Sequence, residues 1–250
     1  MGAEETNETL GHLETIQESV IHSAQLAQVP LLPEDVMRKS VEDVIFPEER
    51  TDRDGQQVDL REFNSWNMKL GDVPLVEMLE VQLINVIAPF ILNSRLRPLM
   101  EKGRDHLLKG CPLSWRFVVN VSAMEGKFNR RKTPRHPHTN MAKAALNMMT
   151  KTSAQDFALS EIFMNSVDTG WINDENPLDI RFHRFVYQGF SPPIDEIDGA
   201  ARVLDPIFSP LSRVQLQNSS SSSSSSSSFS SSSVIPTFGQ FLKDYHPTEW

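Results

Sequence analysis

The sequence predicts an α/β fold in which helices pack on a parallel sheet, and three stretches carry that reading. Ser114–Ser122, after Pro112, is a largely apolar run of the kind that forms a strand buried on both faces. Residues 138–158 have helical periodicity, with Ala142, Ala145, Leu146 and Met149 on one stripe. Ile162–Val167 is a second short strand, followed by Asp168-Thr169-Gly170. A strand, a helix and a strand in that order imply a right-handed crossover and parallel pairing. With 250 residues, 39% of them hydrophobic, the chain can bury the core of one sizeable domain with appendages.

The remaining elements follow in chain order. Residues 1–30 form a helix with apolar points at Leu10, Leu13, Ile16, Val20 and Ile21, interrupted by Pro30 and Pro33. A second helix spans 33–45, with Glu34 and Asp35 favourably placed in its first turn. Residues 47–61 are dense in charge and read as an exposed loop with an Asp54-Gly55 turn. The strongest helical run is 74–100, which Pro89 kinks or splits near Ala88. After Pro192-Pro193, residues 194–205 make a helix through Ile197, Ala200, Ala201 and Leu204, stopped by Pro206.

Ser219–Ser228, Phe229 and Ser230–Ser233 cannot bury enough surface to offset ordering entropy, so 216–233 reads as a disordered insert. Phe238–Leu242 then returns as a final strand of a 234–250 tail. The organisation is thus a helical and loop region over 1–58, the α/β domain over 59–215, the insert and the tail. No internal repeat is present.

Composition excludes several function classes. A formal net charge of −9 argues against a general nucleic-acid binder, because phosphate contacts need clustered Lys and Arg. The single cysteine, Cys111, precludes an intramolecular disulfide and reads as a small buried apolar residue in a reducing compartment. No uninterrupted apolar run of about 18 residues exists, so no membrane span is expected. Met1-Gly2-Ala3-Glu4-Glu5-Thr6 lacks the parts of a signal peptide. It matches the bare myristoylation pattern, with Glu4-Glu5 set to repel anionic lipid. A soluble, cytoplasmic protein without membrane or nucleic-acid partners is the expectation.

Four motifs in order carry a resemblance over about residues 59–250. They are Leu83-Ile84-Asn85-Val86 with Pro89-Phe90, Val119 to Gly126, Ala142-Lys143-Ala144-Ala145-Leu146, and Asn165-Ser166-Val167-Asp168-Thr169-Gly170. Together they resemble the short-chain dehydrogenase/reductase superfamily, in a divergent branch. The resemblance implies a partial Rossmann-like three-layer fold, the C-terminal part of a doubly wound parallel sheet with extra N-terminal helices.

It also implies NAD- or NADP-linked oxidoreductase ancestry and a small carbonyl or alcohol substrate. By that resemblance Lys143 holds the nicotinamide ribose and tunes the proton donor, and Asn85 organises the water chain. Thr169 and Gly170 stand where the family's turn closes over the nicotinamide. Homo-oligomers would form through the helices at 74–101 and 138–158.

The departures from that pattern set the expectation for activity. The family's proton donor is a tyrosine four residues before the lysine, where both side chains share a helix face. Thr139 occupies that place, and neither Tyr187 nor Tyr245 has a lysine four residues on. An aliphatic hydroxyl is too weak an acid to replace a phenol with a free pKa of about 10. His138 can donate a proton near neutrality but stands one residue off. The family's serine position maps to Ala123, and the neighbouring Ser122 points to the opposite face of a strand.

The eleven glycines contain no Gly-x-x-x-Gly-x-Gly turn to hold a pyrophosphate, and none of the first 58 residues forms an apolar strand to precede one. The chain is therefore expected to begin after the cofactor half of the domain, leaving one sheet edge without its neighbours. Catalysis by this chain alone is expected to be weak or absent, with Lys143, Asn85, Thr139, Ser122 and His138 as the candidate catalytic residues. Lys143, Thr169 and Gly170 are the candidate cofactor contacts. The alternative is a non-enzymatic, dimerising interaction protein on the same scaffold.

Lys127, Arg130, Arg131, Lys132 and Arg135 form a basic loop in an acidic chain. It reads either as a solvated connection, as a localisation signal, or as a dock for phosphate, such as the 2′-phosphate of NADP or a phosphorylated substrate. His136 and His138 have no third ligand at metal-binding spacing, so no metal site is expected.

Overall fold

The computed structural model describes residue 29 and residues 44–52, 55–102, 112–221 and 234–250. The chain divides into two compact units, Met1–Glu48 and Glu49–Trp250. In the first, Val44 and Ile45 are helical. The expected helix over 1–30, most of that over 33–45, Cys111 and residues 222–233 lie outside the described residues.

The second unit opens with the charged loop, closed by a Thr51–Gln57 bridge around Gly55, whose φ of +76° suits a residue without a Cβ. Helix α1 (Leu75–Gln82) continues through a π turn (Leu83–Ile87) into α2 (Ala88–Lys102). The sequence placed a disturbance near Ala88 because Pro89 lacks an N–H. The structure answers with the wider turn, in which the Ala88 N–H donates to the Leu83 carbonyl.

Strand β1 (Arg116–Ser122) leads through a short 3₁₀ turn (Met124–Gly126) to α3 (Pro137–Ala158) and then β2 (Ile162–Asp168). Helices α4 (Leu178–Gln188) and α5 (Glu196–Ser221) follow, and β3 (Phe241–Lys243) and β4 (His246–Thr248) close the chain. The sheet order is β1-β2-β3-β4, with β1–β2 and β2–β3 parallel and β3–β4 antiparallel. The α/β class with a parallel-dominated sheet is therefore established.

All seven residues of β2 are buried, as a central strand covered on both faces requires. Ile162 and Met164 pack with Ala154 and Phe157 of α3, joined by Val118, Met100 and Phe238. The buried stripe of α3 runs His138, Ala142, Leu146, Thr150 and Ala154, each four residues from the last. The C-terminal end of α2 is pinned to α3. Arg97 pairs with Asp156 and, at 2.9 Å, with Glu101, and its guanidinium lies 4.6 Å above the Phe157 ring.

Several expectations need correction. Pro206 does not stop the last helix: α5 continues through Pro206 and Pro210 to Ser221. Both prolines are buried, and that packing offsets the lost backbone bonds. Helix α4 was missed; its strong amphipathic pattern sits in a stretch dominated by Arg, His and aromatic residues. The C-terminal strand starts at Phe241 rather than Phe238 and turns back as a hairpin, with Asp244 and Tyr245 at φ of +47° and +69°. Among the described residues one helix, Leu75–Lys102, is long and apolar enough to cross a membrane by length and composition. No unbroken apolar run marks it in the sequence, because Asn85, Asn93 and Arg95 interrupt it.

Candidate functional site

Two concavities flank the segment that joins β1 to α3. The first is a groove of about 570 Å³ between β1 and the α1–α2 helix. Arg116 donates its N–H to Glu161 at the start of β2. By the alternation of a strand, Phe117, Val119 and Val121 then direct their backbone groups to the groove, since β1 is the edge of the sheet. Lys143 reaches this edge, and its Nζ donates to the Val121 carbonyl at 3.2 Å. Burial pushes the Lys143 ammonium below the usual lysine value, and the Glu125 carboxylate opposes that shift.

Asn85 and Asn93 face the lysine across walls formed by Ile84, Leu92, Leu96 and Phe117. Asn85 donates 3.1 Å to the Val81 carbonyl of its own helix. Asn93 donates 3.1 Å to Asn120, which donates 2.9 Å to the Thr150 hydroxyl. Thr150 also accepts from Ser166 and donates to the Leu146 carbonyl. Four elements are thus joined by one satisfied buried polar chain. Sequence reasoning missed it, since no spacing rule couples residues so far apart in the chain.

Of the candidate residues, only Lys143 and Asn85 meet in this groove. Ser122 is buried, its hydroxyl has no partner, and it lines neither concavity. His138 is buried in the first turn of α3 with Nε2 3.4 Å from Glu77 and neither ring nitrogen hydrogen-bonded. Thr139 is half-buried beside it and lines neither concavity. Thr169 and Gly170 follow β2; the Gly170 N–H donates to Asp168 at 2.8 Å, and its Cα faces Ile194 and Arg202 of the last segment. Gly126 is where β1's turn meets α3. A Cβ there would stand 2.6 Å from the Lys143 carbonyl carbon.

The second concavity, of about 420 Å³, is basic and aromatic. Arg130, Arg131, Lys132 and Arg135 line it with Arg184, Trp66, Trp171 and His136. His136 adopts φ +41° and stacks on Trp66 at 4.1 Å with planes 9° apart. Its Nδ1 lies 2.9 Å from the Trp66 carbonyl, which can only accept, so that nitrogen carries the hydrogen. Arg184 pairs with Asp174 at 2.6 Å and lies over the Trp171 and Phe190 rings. None of Trp66, Trp171 or Arg184 was read as a site residue, for they lie in three separate segments.

Lys127 does not belong to the basic loop as expected. It is buried, donates 3.0 Å to Thr248 and lies over the Phe241 ring, and burial lowers its pKa. His136 and His138 also part, one in this pocket and one against Glu77.

Comparison with known proteins adds the following. No family model matches the chain. An uncharacterised protein of Acanthamoeba polyphaga mimivirus is 33% identical over 164 residues, which is 63% of this chain and 32% of that protein. The chain thus spans about a third of the length of the curated relative it matches. Solved structures similar to it include the NADPH-bound carbonyl reductase of chicken fatty liver, 19% identical, TM-score 0.44, covering 76% of this chain and 64% of that one. The carbonyl reductase Sniffer of D. melanogaster is 17% identical, TM-score 0.49, with coverage of 77% and 63%. A short-chain type dehydrogenase/reductase from Mycobacterium marinum is 22% identical, TM-score 0.38, with coverage of 49% and 44%. These neighbours are carbonyl reductases and dehydrogenases, and the fold assignment itself rests on the sheet and helices described above.

Among the described residues the polar side chains lining the groove are Lys143, Asn85, Asn93 and Asn120. The Lys143 amine donates one of its three N–H groups to the strand edge, and the surrounding walls are mostly apolar. No glycine turn in the chain offers the backbone amides that a pyrophosphate needs.

Proposed function

We propose that this chain is a short-chain dehydrogenase/reductase-like scaffold that works as a dimerising interaction domain rather than as a self-sufficient reductase. The observation that carries it is the state of the reaction centre. Lys143 is bonded to the Val121 carbonyl, and the Ser122 hydroxyl is sealed in the protein. The helix position four before Lys143 holds Thr139, whose aliphatic hydroxyl is too weak an acid to act as the proton donor.

The interaction role draws on the α1–α2 helix, none of whose residues is buried. Leu75, Leu79, Leu83, Ile87 and Ile91 are all at least 45% exposed, an apolar face of the kind that marks an interaction surface. A second copy is the partner, with Met141 and Met148 of α3 adding exposed apolar contacts.

Two measurements test the reading. Sedimentation equilibrium gives a dimer for the wild type and a monomer for Leu79→Glu/Leu83→Glu; a wild-type monomer refutes the interaction role. Incubation with NADPH and a panel of small ketones and aldehydes gives no turnover. Turnover that Lys143→Ala abolishes would instead establish a working reductase. NADPH binding, read by quenching of Trp115 or Trp171, separates a cofactor-holding scaffold from one that has lost the cofactor.

A further inference from the structure

We propose that the pocket between Trp66, the 130–136 loop and α4 is a binding site for a small phosphate ester carrying a planar ring, of the nucleoside monophosphate class. This goes beyond the dimerising reading and does not depend on it.

Charge is the first argument. The chain as a whole carries −9, yet this cavity is lined by Arg130, Arg131, Lys132, Arg135 and Arg184 against a single carboxylate, Glu125. Arg184 is spoken for by Asp174. Arg130, Arg131 and Arg135 have no carboxylate partner among the described residues. Lys132 spends its amine on two carbonyls, donating to Met124 and Glu125 at 2.8 and 2.7 Å, so its charge is held over the pocket without being neutralised. An arginine fork matches two phosphate oxygens at once, which makes unpaired arginines around a cavity an anion site rather than a merely solvated loop.

Shape is the second. The stacked Trp66–His136 pair makes a flat wall, held by the His136 N–H to the Met68 carbonyl at 2.7 Å and by the Nδ1 contact to Trp66. Trp171 remains 45% exposed at the rim. The outer face of that stacked pair and the exposed part of Trp171, set beside a cluster of cations, suit a ligand with a ring at one end and a phosphate at the other. The Asn140 side-chain oxygen, buried in the same lining, has no partner and offers the ring a polar contact. At about 420 Å³ the cavity lies within the range of small-ligand sites.

Isothermal titration of the full chain with adenosine 5′-monophosphate, inorganic phosphate and adenosine tests the proposal. The expected result is saturable binding of the monophosphate, at least tenfold weaker binding of phosphate, and none of adenosine. Arg131→Gln/Arg135→Gln, with an unchanged thermal melt, and, separately, Trp171→Ala, with an unchanged circular-dichroism spectrum at the titration temperature, should each weaken the monophosphate at least tenfold. Arg95→Gln on α2, outside the pocket, should leave it unaltered. No binding of the monophosphate at millimolar concentration overturns the proposal, as does undiminished binding by the double arginine variant. Phosphate binding as tightly as the monophosphate removes the planar half and overturns it in the form stated. Binding of a single-stranded oligonucleotide with none of the monophosphate overturns it in favour of nucleic acid. Loss of the dimer alone would leave it standing.

Discussion

Replacing Gly126 with alanine tests how the β1 turn is seated on α3. An added Cβ would lie 2.6 Å from the Lys143 carbonyl carbon, 2.7 Å from its oxygen and 2.6 Å from the Asn147 amide nitrogen. Two of those atoms are helix backbone and cannot swing aside, so the turn and the helix must separate. Inserting one methyl into such packing costs about 1–3 kcal/mol. The reduced freedom of the unfolded chain returns about 0.4–1 kcal/mol, because Gly126 does not need a positive φ. The net expectation is a loss of about 1–2 kcal/mol, or roughly 2–8 °C in Tm for a domain of this size. Urea melts of Gly126→Ala against wild type measure it directly. Gly71→Ala is the control, since a Cβ there meets nothing within 4 Å. A Gly126→Ala protein as stable as wild type would refute the tight seating.

Three further outcomes follow from the same geometry. Thr150→Val removes the hydroxyl that accepts from Asn120 and Ser166, leaving two buried donors unpaired. It should cost about 2–4 kcal/mol in a chemical melt. Burial holds the Lys143 ammonium below its normal pKa of 10.5, so the unfolded chain binds the extra proton between the lowered value and 10.5. Wild-type stability should therefore rise relative to Lys143→Met as pH climbs through that window, and a gap that stays constant would contradict the burial. Arg97→Ala removes the ties to Asp156 and Glu101 and the contact over Phe157; amide exchange should quicken first near the C-terminal end of α2.

Where hydrophobic period and punctuation agreed, the sequence was legible. The strands at 116–122 and 162–168, the long helix through Lys143 and the disturbance ahead of Pro89 all follow from local pattern. It misled where packing overrode a local rule. Pro206 and Pro210 would break an exposed helix, but buried ones hold their places in α5. Lys127 reads as part of a basic run, yet its amine lies over the Phe241 ring and donates to Thr248. Of the candidate site residues, Lys143 and Asn85 come together across the β1 groove, whereas Ser122 and His138 go into the interior. Nothing local foretold that Lys143 would rest on the Val121 carbonyl.

By itself the sequence determined the α/β class and the parallel pairing of β1 with β2. These depend on residue type and on spacing within one turn or one strand. Tertiary structure alone decided that, among the described residues, none in the α1–α2 helix is buried, and that five cations and two tryptophans surround one cavity. Such features are sums over segments far apart in the chain, and only the closing of the fold brings their charges and surfaces to one place.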